Sequence, residues 1–243
     1  MKDNSLIIIP TYNEAKNIKA VINKIFSLDD YNSILVVDDN SPDGTSNIVR
    51  NLKKNYEDKL FLITREKKDG LGSAYKEGFK WVIEKNFSYV FEMDADLSHD
   101  PNEIKKLKRM LVNGECDVAI GSRYLEGVSV VNWPLSRIFL SYFANIYVRL
   151  ITCMPVKDST SGFVGYKIEA LSSLDINKIK FNGYAFQIEM KFKLWKKKFK
   201  LKEHQIIFVN REQGESKMNK NIIFEAIIGV IKLKLNSIFK KNE

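Results

Sequence analysis

The chain has 243 residues, 44% of them hydrophobic, enough for one or at most two compact domains with a substantial core, so disorder is not the default. A net charge of +9 and a pI near 9.3 suggest an anionic partner, whether nucleic acid, a phosphorylated substrate or an acidic membrane surface. Two cysteines, Cys116 and Cys153, without any Cys/His zinc spacing, exclude a disulfide framework and imply a reducing, cytosolic setting.

The N-terminus reaches a buried-type strand at Leu6 to Ile9 without a basic stretch, an apolar core and a cleavage site, so no secretory leader is expected. Further β-rich runs follow at Ile34 to Val37, Leu60 to Ile63, Tyr89 to Met93 and Asp117 to Ile120. Between them lie segments with helical spacing, such as Ile18, Val21, Ile22 and Ile25, then Ile48, Val49 and Leu52. Strands alternating with helices predict an α/β fold with a mainly parallel sheet flanked by helices.

A ligand binds such a sheet outside the carboxyl ends of its strands, where Pro10 to Glu14, Asp38 to Thr45 and Asp94 to His99 all fall. Pro42-Asp43-Gly44 is a turn with its own mechanism, whereas Asp38 and Asp39 are candidates to accept hydrogen bonds from a base or ribose. Gly70-Leu71-Gly72 lacks the Lys-Ser/Thr ending of a P-loop and the full dinucleotide fingerprint, so it reads as a turn and helix start with close backbone approach. Asp94-Ala95-Asp96, at the end of a strand, offers oxygen ligands to a hard divalent cation, although an isolated Asp-x-Asp is more often a solvated turn. His99, beside Asp100-Pro101, is at least as well explained by the turn as by metal ligation.

From Leu135 to Met154, Arg137, Ser141, Asn145 and Arg149 recur every four residues in an otherwise apolar cylinder, which predicts an interfacial helix carrying a polar stripe. Ile222 to Phe239, followed by Lys240-Lys241, reads as a second amphipathic helix. No apolar run approaches the roughly 20 residues a spanning helix needs. The expected organisation is one domain over 1–215, in two halves (1–125 and 126–215), then an amphipathic tail (216–243).

With these pieces the chain resembles the dolichyl-phosphate (polyprenyl-phosphate) mannosyltransferases, inverting family 2 glycosyltransferases of the Rossmann-like GT-A fold. The likeness rests on six ordered motifs: Pro10 to Glu14, Val37 to Thr45, Asp94 to His99, Gly121 to Tyr124, Gly183 to Glu189 and Arg211 to Lys217. It implies that Pro10, Tyr12, Glu14, Val37 and Asp39, with Asp94, Ala95, Asp96, Arg123, Arg211 and Lys217, hold GDP-mannose. It further implies a Mg²⁺ or Mn²⁺ ion at Asp96 with Ser98 alongside, an acceptor phosphate held by Arg123, Arg137 and Ser141, and catalytic roles for Asp96, Arg123 and Arg137. Gln187, Glu189 and Asp158 are candidates to face the sugar or the acceptor. Peripheral attachment to the cytoplasmic side of a membrane follows, of the endoplasmic reticulum in a eukaryote or the plasma membrane in a prokaryote. Small integral-membrane subunits are open.

The competing enzyme is a UDP-glucose-dependent dolichyl-phosphate glucosyltransferase, or another inverting relative with a hydroxyl acceptor and hence a general base. A non-catalytic basic protein bound to nucleic acid or membranes accounts for the charge but not for acidic loops at strand ends, which repel a polyanion, so no nucleic-acid partner is expected.

Overall fold

Strands β1 (Ser5–Thr11) and β2 (Asn32–Asp38) are apolar on both faces, with Leu6 to Ile9 and Ile34 to Val37 wholly inaccessible, the pattern of central parallel strands covered on both sides. The computed structural model describes residues 4–28, 32–56, 58–183, 185–210 and 220–239. Helices α1 (Ile18–Phe26) and α2 (Thr45–Lys53) precede β2 and β3 (Leu60–Thr64), and α3 (Leu71–Ile83), β4 (Tyr89–Glu92), α4 (Glu103–Val112) and β5 (Val118–Ser122) complete the first half. Then come β6 (Val130–Val131), α5 (Leu135–Thr152), β7 (Val164–Lys167), α6 (Ile168–Ser172), α7 (Ala185–Lys196), β8 (Leu201–Gln205), β9 (Phe208–Val209) and α8 (Lys220–Phe239).

The seven-stranded sheet runs β3-β2-β1-β4-β7-β5-β8, and only β7 is antiparallel to its neighbours. Alternate residues of the central strands feed two cores, Leu6, Ile8, Leu35 and Val37 into one, and Ile7, Ile9, Ile34 and Val36 into the other. All five expected strands form. The reversed β7 was not foreseen, and it matters for the site: Val164 at its start pairs with Glu92 and Ile120, so the segment 158–163 emerges at the same edge as the carboxyl ends of β4 and β5.

Gly70-Leu71-Gly72 opens α3 as expected, with Gly70 at φ +84°. A Cβ on Gly72 would stand 2.8 Å from Phe186 of α7, whose ring stacks on Tyr75. Gly72→Val should therefore force α3 and α7 apart and cost about 1–3 kcal/mol, read as a lowered midpoint in urea unfolding.

Helix α8 docks on the domain through buried Val230 and Leu233, while Tyr147 Oη donates to Ile227 O at 2.9 Å and Lys234 Nζ to Thr152 O at 3.1 Å. Helix α5 turns Phe139 (58% exposed), Phe143 (61%) and Leu150 (72%) outward. Beside them on α8, Ile227, Ile231, Leu235 and Ile238 are exposed. Among the described residues no helix is long and apolar enough to cross a membrane.

Candidate active site

The parallel register sets Pro10 against Val37, Thr11 against Asp38 and Ile8 against Glu92, so the three acidic and polar loops of the first half share one sheet edge, as the sequence predicts. Asp38 does not face a ligand. It is fully buried and accepts from Thr11 Oγ1 (2.7 Å), Ser41 N (2.9 Å), Ser41 Oγ (2.6 Å) and Ser46 Oγ (2.7 Å), which ties the β2 loop to β1. Asp43 likewise serves its own turn, accepting from Thr45 and from Ala15 N.

Asp39 is different. Arg65, just past β3, donates from Nη1 to it at 2.6 Å and from Nη2 to Ser73 at 2.6 Å. Burial raises the Asp39 carboxyl above its ordinary pKa, with Arg65 opposing the shift. Arg65 was missed in the sequence, although its position one residue beyond a parallel strand puts it on the ligand edge. Beside this pair Tyr12 lies under Lys68, 4.0 Å from the ring centre, and Glu14 accepts from Asn17 at 3.0 Å. Val37 and Ala95 are buried floor, and Pro10 is half-buried.

The loop after β4 is built from its own groups. Leu97 adopts φ +61°, and Ser98 N donates to Asp96 Oδ1 at 3.0 Å, an Asx-type turn that fixes the carboxylate. Ser98 is buried. His99 stacks on Phe163 (centroids 4.9 Å apart) and meets Phe208 edge-on, and burial pulls its pKa down to about 4, so the ring is a neutral prop.

Does this loop fit a divalent cation? Among the described residues no group of three or more His, Cys, Asp or Glu could cage one. One or two carboxylates at an open edge are nevertheless what Mg²⁺ or Mn²⁺ needs when waters and substrate phosphates fill the remaining positions. Asp94 and Asp96, both partly accessible, meet that requirement.

Behind the loop lies a buried polar network that the sequence did not reveal. Glu92 accepts from Gln187 Nε2 and from Tyr166 Oη, and Lys191 Nζ donates to Gln187 Oε1 (3.0 Å) and Ser161 O (2.7 Å). Burial raises the Glu92 pKa and lowers that of Lys191. Gln187 is therefore spent on the interior. Glu189 accepts from Lys180 N (2.8 Å), Phe181 N (3.0 Å) and Lys193, so neither side chain faces a sugar as expected.

A second polar cluster centres on Arg123, just past β5. Its Nε and Nη2 grip Asp158 at 2.7 Å each, and Nη2 also donates to Thr160 at 2.8 Å. Burial alone would lower the Arg123 pKa, but Asp158 outweighs it and raises it; the same pair holds Asp158 below the usual carboxylate range. Asp158 is thus the arginine's anchor and not a sugar ligand. Glu203 braces the segment by accepting from Asp158 N and Lys157 N, both at 2.8 Å.

Arg137 lies over Trp133, 3.9 Å from its ring centre, and donates to Asn210 at 3.0 Å. Ser141 accepts from Tyr124 Oη at 2.7 Å, and buried Asn145 bonds Ser159 and Thr160. The polar stripe of α5 thus faces the domain from 137 to 145, but Arg149 is exposed. A four-residue repeat advances about 40° per step beyond a full turn, so its fourth member has rotated off the face. Arg211 and Lys217 lie outside the described residues.

Residues 6–175 match the family described as glycosyl transferase family 2. The chain belongs to that family. The polyprenol monophosphomannose synthase of Mycolicibacterium smegmatis is 39% identical over 226 residues, which cover 93% of this chain and 85% of that protein. The undecaprenyl-phosphate mannosyltransferase of Micrococcus luteus is 36% identical, covering 93% of this chain and 91% of that one. The dolichol-phosphate mannosyltransferase of Pyrococcus furiosus is 37% identical over 93% of this chain and 62% of its own length. Among solved structures, glucosyl-3-phosphoglycerate synthase from Mycobacterium tuberculosis, in complex with Mn²⁺, UDP and glucosyl-3-phosphoglycerate, superposes with a TM-score of 0.68 at 18% identity. That superposition covers 97% of this chain and 80% of that one, and it shows a shared α/β fold of the GT-A kind.

Proposed function

We propose that this family 2 glycosyltransferase moves mannose from GDP-mannose to a polyprenyl or dolichyl phosphate with inversion, working peripherally at the cytoplasmic side of a membrane. The relatives named above support the acceptor class. The observation that carries the chemistry is that the cluster around Arg123 and Arg137 presents arginines, while the carboxylates near it are already engaged: Asp158 by Arg123, Glu92 by Gln187 and Tyr166, and Glu189 by backbone N–H groups and Lys193. A hydroxyl acceptor needs a base to take its proton. A phosphate monoester, with a second pKa of about 6, is already a nucleophile at neutral pH.

In this reading Arg123, Arg137 and Ser141 hold the acceptor phosphate so that one oxygen faces the anomeric carbon. That oxygen forms the new C–O bond as the bond to the diphosphate breaks on the opposite side, and GDP leaves as the anion. Asp96, with Ser98 beside it and Asp94 near the sugar, would hold Mg²⁺ or Mn²⁺, which supplies Lewis-acid stabilisation of the departing diphosphate. Pro10, Tyr12, Glu14, Val37, Asp39 and Ala95 form the nucleoside end. The Asp39–Arg65 pair belongs there too, because a guanine edge offers both donors and acceptors. Arg211 and Lys217 would add positive charge near the phosphates.

The test is donor competition: labelled GDP-mannose and labelled UDP-glucose are each supplied with polyprenyl phosphate and Mn²⁺, and label in the organic phase is counted. Mannose label supports the proposal. Glucose label alone would move the donor assignment.

The outward apolar rows of α5 and α8 support membrane contact. Replacing Phe139 and Phe143 together by serine should weaken liposome binding about tenfold or more in a flotation assay, since each ring contributes about 1.5–3 kcal/mol when buried. Turnover of a short-chain, detergent-soluble acceptor should be preserved.

A further inference from the structure

Trp133 occupies a position that packing alone does not explain. It stands between β6 and α5 with two guanidinium groups against its ring: Arg137 at 3.9 Å from the centre and Arg123 at 5.5 Å, with Phe208 edge-on at 5.3 Å. Its indole Nε1 is buried and has no hydrogen-bond partner among the described residues. An indole N–H only donates, and a buried donor left unmatched is costly, so the arrangement lacks one acceptor atom.

Charge identifies the kind of atom. Asp158 neutralises Arg123, so the two arginines bring less net positive charge than their number suggests. A phosphate monoester near neutral pH carries close to two negative charges and three acceptor oxygens. Neutral donors must supply part of its hydrogen bonding. Three of the five Arg123 N–H donors are spent on Asp158 and Thr160, and Nη1 has no partner among the described residues. The orphaned indole N–H lies on the same cluster.

We propose that Trp133 is a further acceptor-phosphate residue: its Nε1–H donates to an oxygen of the lipid phosphate, and its ring face keeps Arg137 aligned beside Arg123. This rests on the acceptor reading above. The capture of phosphate by Arg137, in exchange for Asn210, is the movement that brings the oxygen to the indole edge.

The test compares wild type with Trp133→Phe, which keeps an aromatic face and removes the N–H, and with Trp133→His, which keeps a ring N–H. Binding of polyprenyl phosphate and of phosphate-free polyprenol to the full chain in detergent is measured by calorimetry, with KM for each substrate alongside. Trp133→Phe should weaken polyprenyl phosphate binding about tenfold or more, as expected for a hydrogen bond to a charged group. It should leave polyprenol binding and the nucleotide-sugar KM within about twofold and should not lower the Tm, because an unmatched donor has been removed. Trp133→His should recover part of the loss.

Equal affinity of wild type and Trp133→Phe for polyprenyl phosphate overturns the proposal, as does a parallel loss of both substrates with a lowered Tm. Failure of wild type to distinguish polyprenyl phosphate from polyprenol overturns the acceptor reading itself, and this inference with it.

Discussion

Asp96→Asn is expected to lower kcat/KM for mannosyl transfer by about a thousandfold or more while leaving the fold and the Tm near wild type. The side chain sits partly accessible in the loop after β4, where it accepts the turn hydrogen bond from Ser98 N, and an asparagine oxygen can accept that bond as well. What the amide cannot do is bring a negative charge to a divalent cation. Loss of that charge removes stabilisation of the leaving diphosphate, and a thousandfold corresponds to about 4 kcal/mol of barrier. Single-turnover rates and Mn²⁺ titration by paramagnetic resonance should fall together. A variant with wild-type metal affinity and rate would remove Asp96 from the metal site.

Arg123→Leu is expected to damage both stability and transfer. It strands Asp158, fully buried, with the Arg123 backbone N–H as its main remaining donor from that residue, and breaking a buried pair from one side costs about 3–5 kcal/mol. Replacing both partners by leucine should be less destabilising than Arg123→Leu alone, since neither charge is then left unmatched. Activity, however, should be lost in every one of these variants, because the acceptor phosphate loses its buried guanidinium. Arg123→Lys should not restore it, as an ammonium cannot make the two parallel bonds to Asp158 that aim the guanidinium. Urea unfolding of the four proteins separates the structural effect from the catalytic one. Equal destabilisation of the double and single leucine variants would mean that the pair is not an electrostatic unit.

The ligand edge was legible in the sequence because parallel strands end in a predictable place. Asp39, Asp96 and the Pro10-to-Glu14 turn could be located from the apolar runs preceding them. The site's supporting contacts were not legible, for reasons specific to each. Strand β7 is four residues long and contains Gly165, where a Cβ would come within 2.5 Å of Phe91, so its pairing is set by its neighbours and leaves no alternating pattern. Arg65 and Asp39 lie 26 residues apart, and Glu92 and Gln187 95 apart, distances over which local patterning carries no information. Asp158 was read as facing a sugar, and its pairing with Arg123, 35 residues away, leaves no local pattern either. The α5 stripe was readable over its first three members and misleading at Arg149, where helical rotation accumulates. Trp133 went unnoticed because its unmatched indole N–H exists only in three dimensions.

The central claim is that the nucleophile is a lipid phosphate requiring no protein base. Its most direct test is to supply labelled GDP-mannose and Mn²⁺ with either polyprenyl phosphate or the corresponding polyprenol, and to determine the linkage and anomeric configuration of any mannolipid by NMR. The account predicts β-mannosyl phosphate from polyprenyl phosphate and no product from the alcohol. Mannose on the alcohol, or an α-linked phosphate, would contradict it.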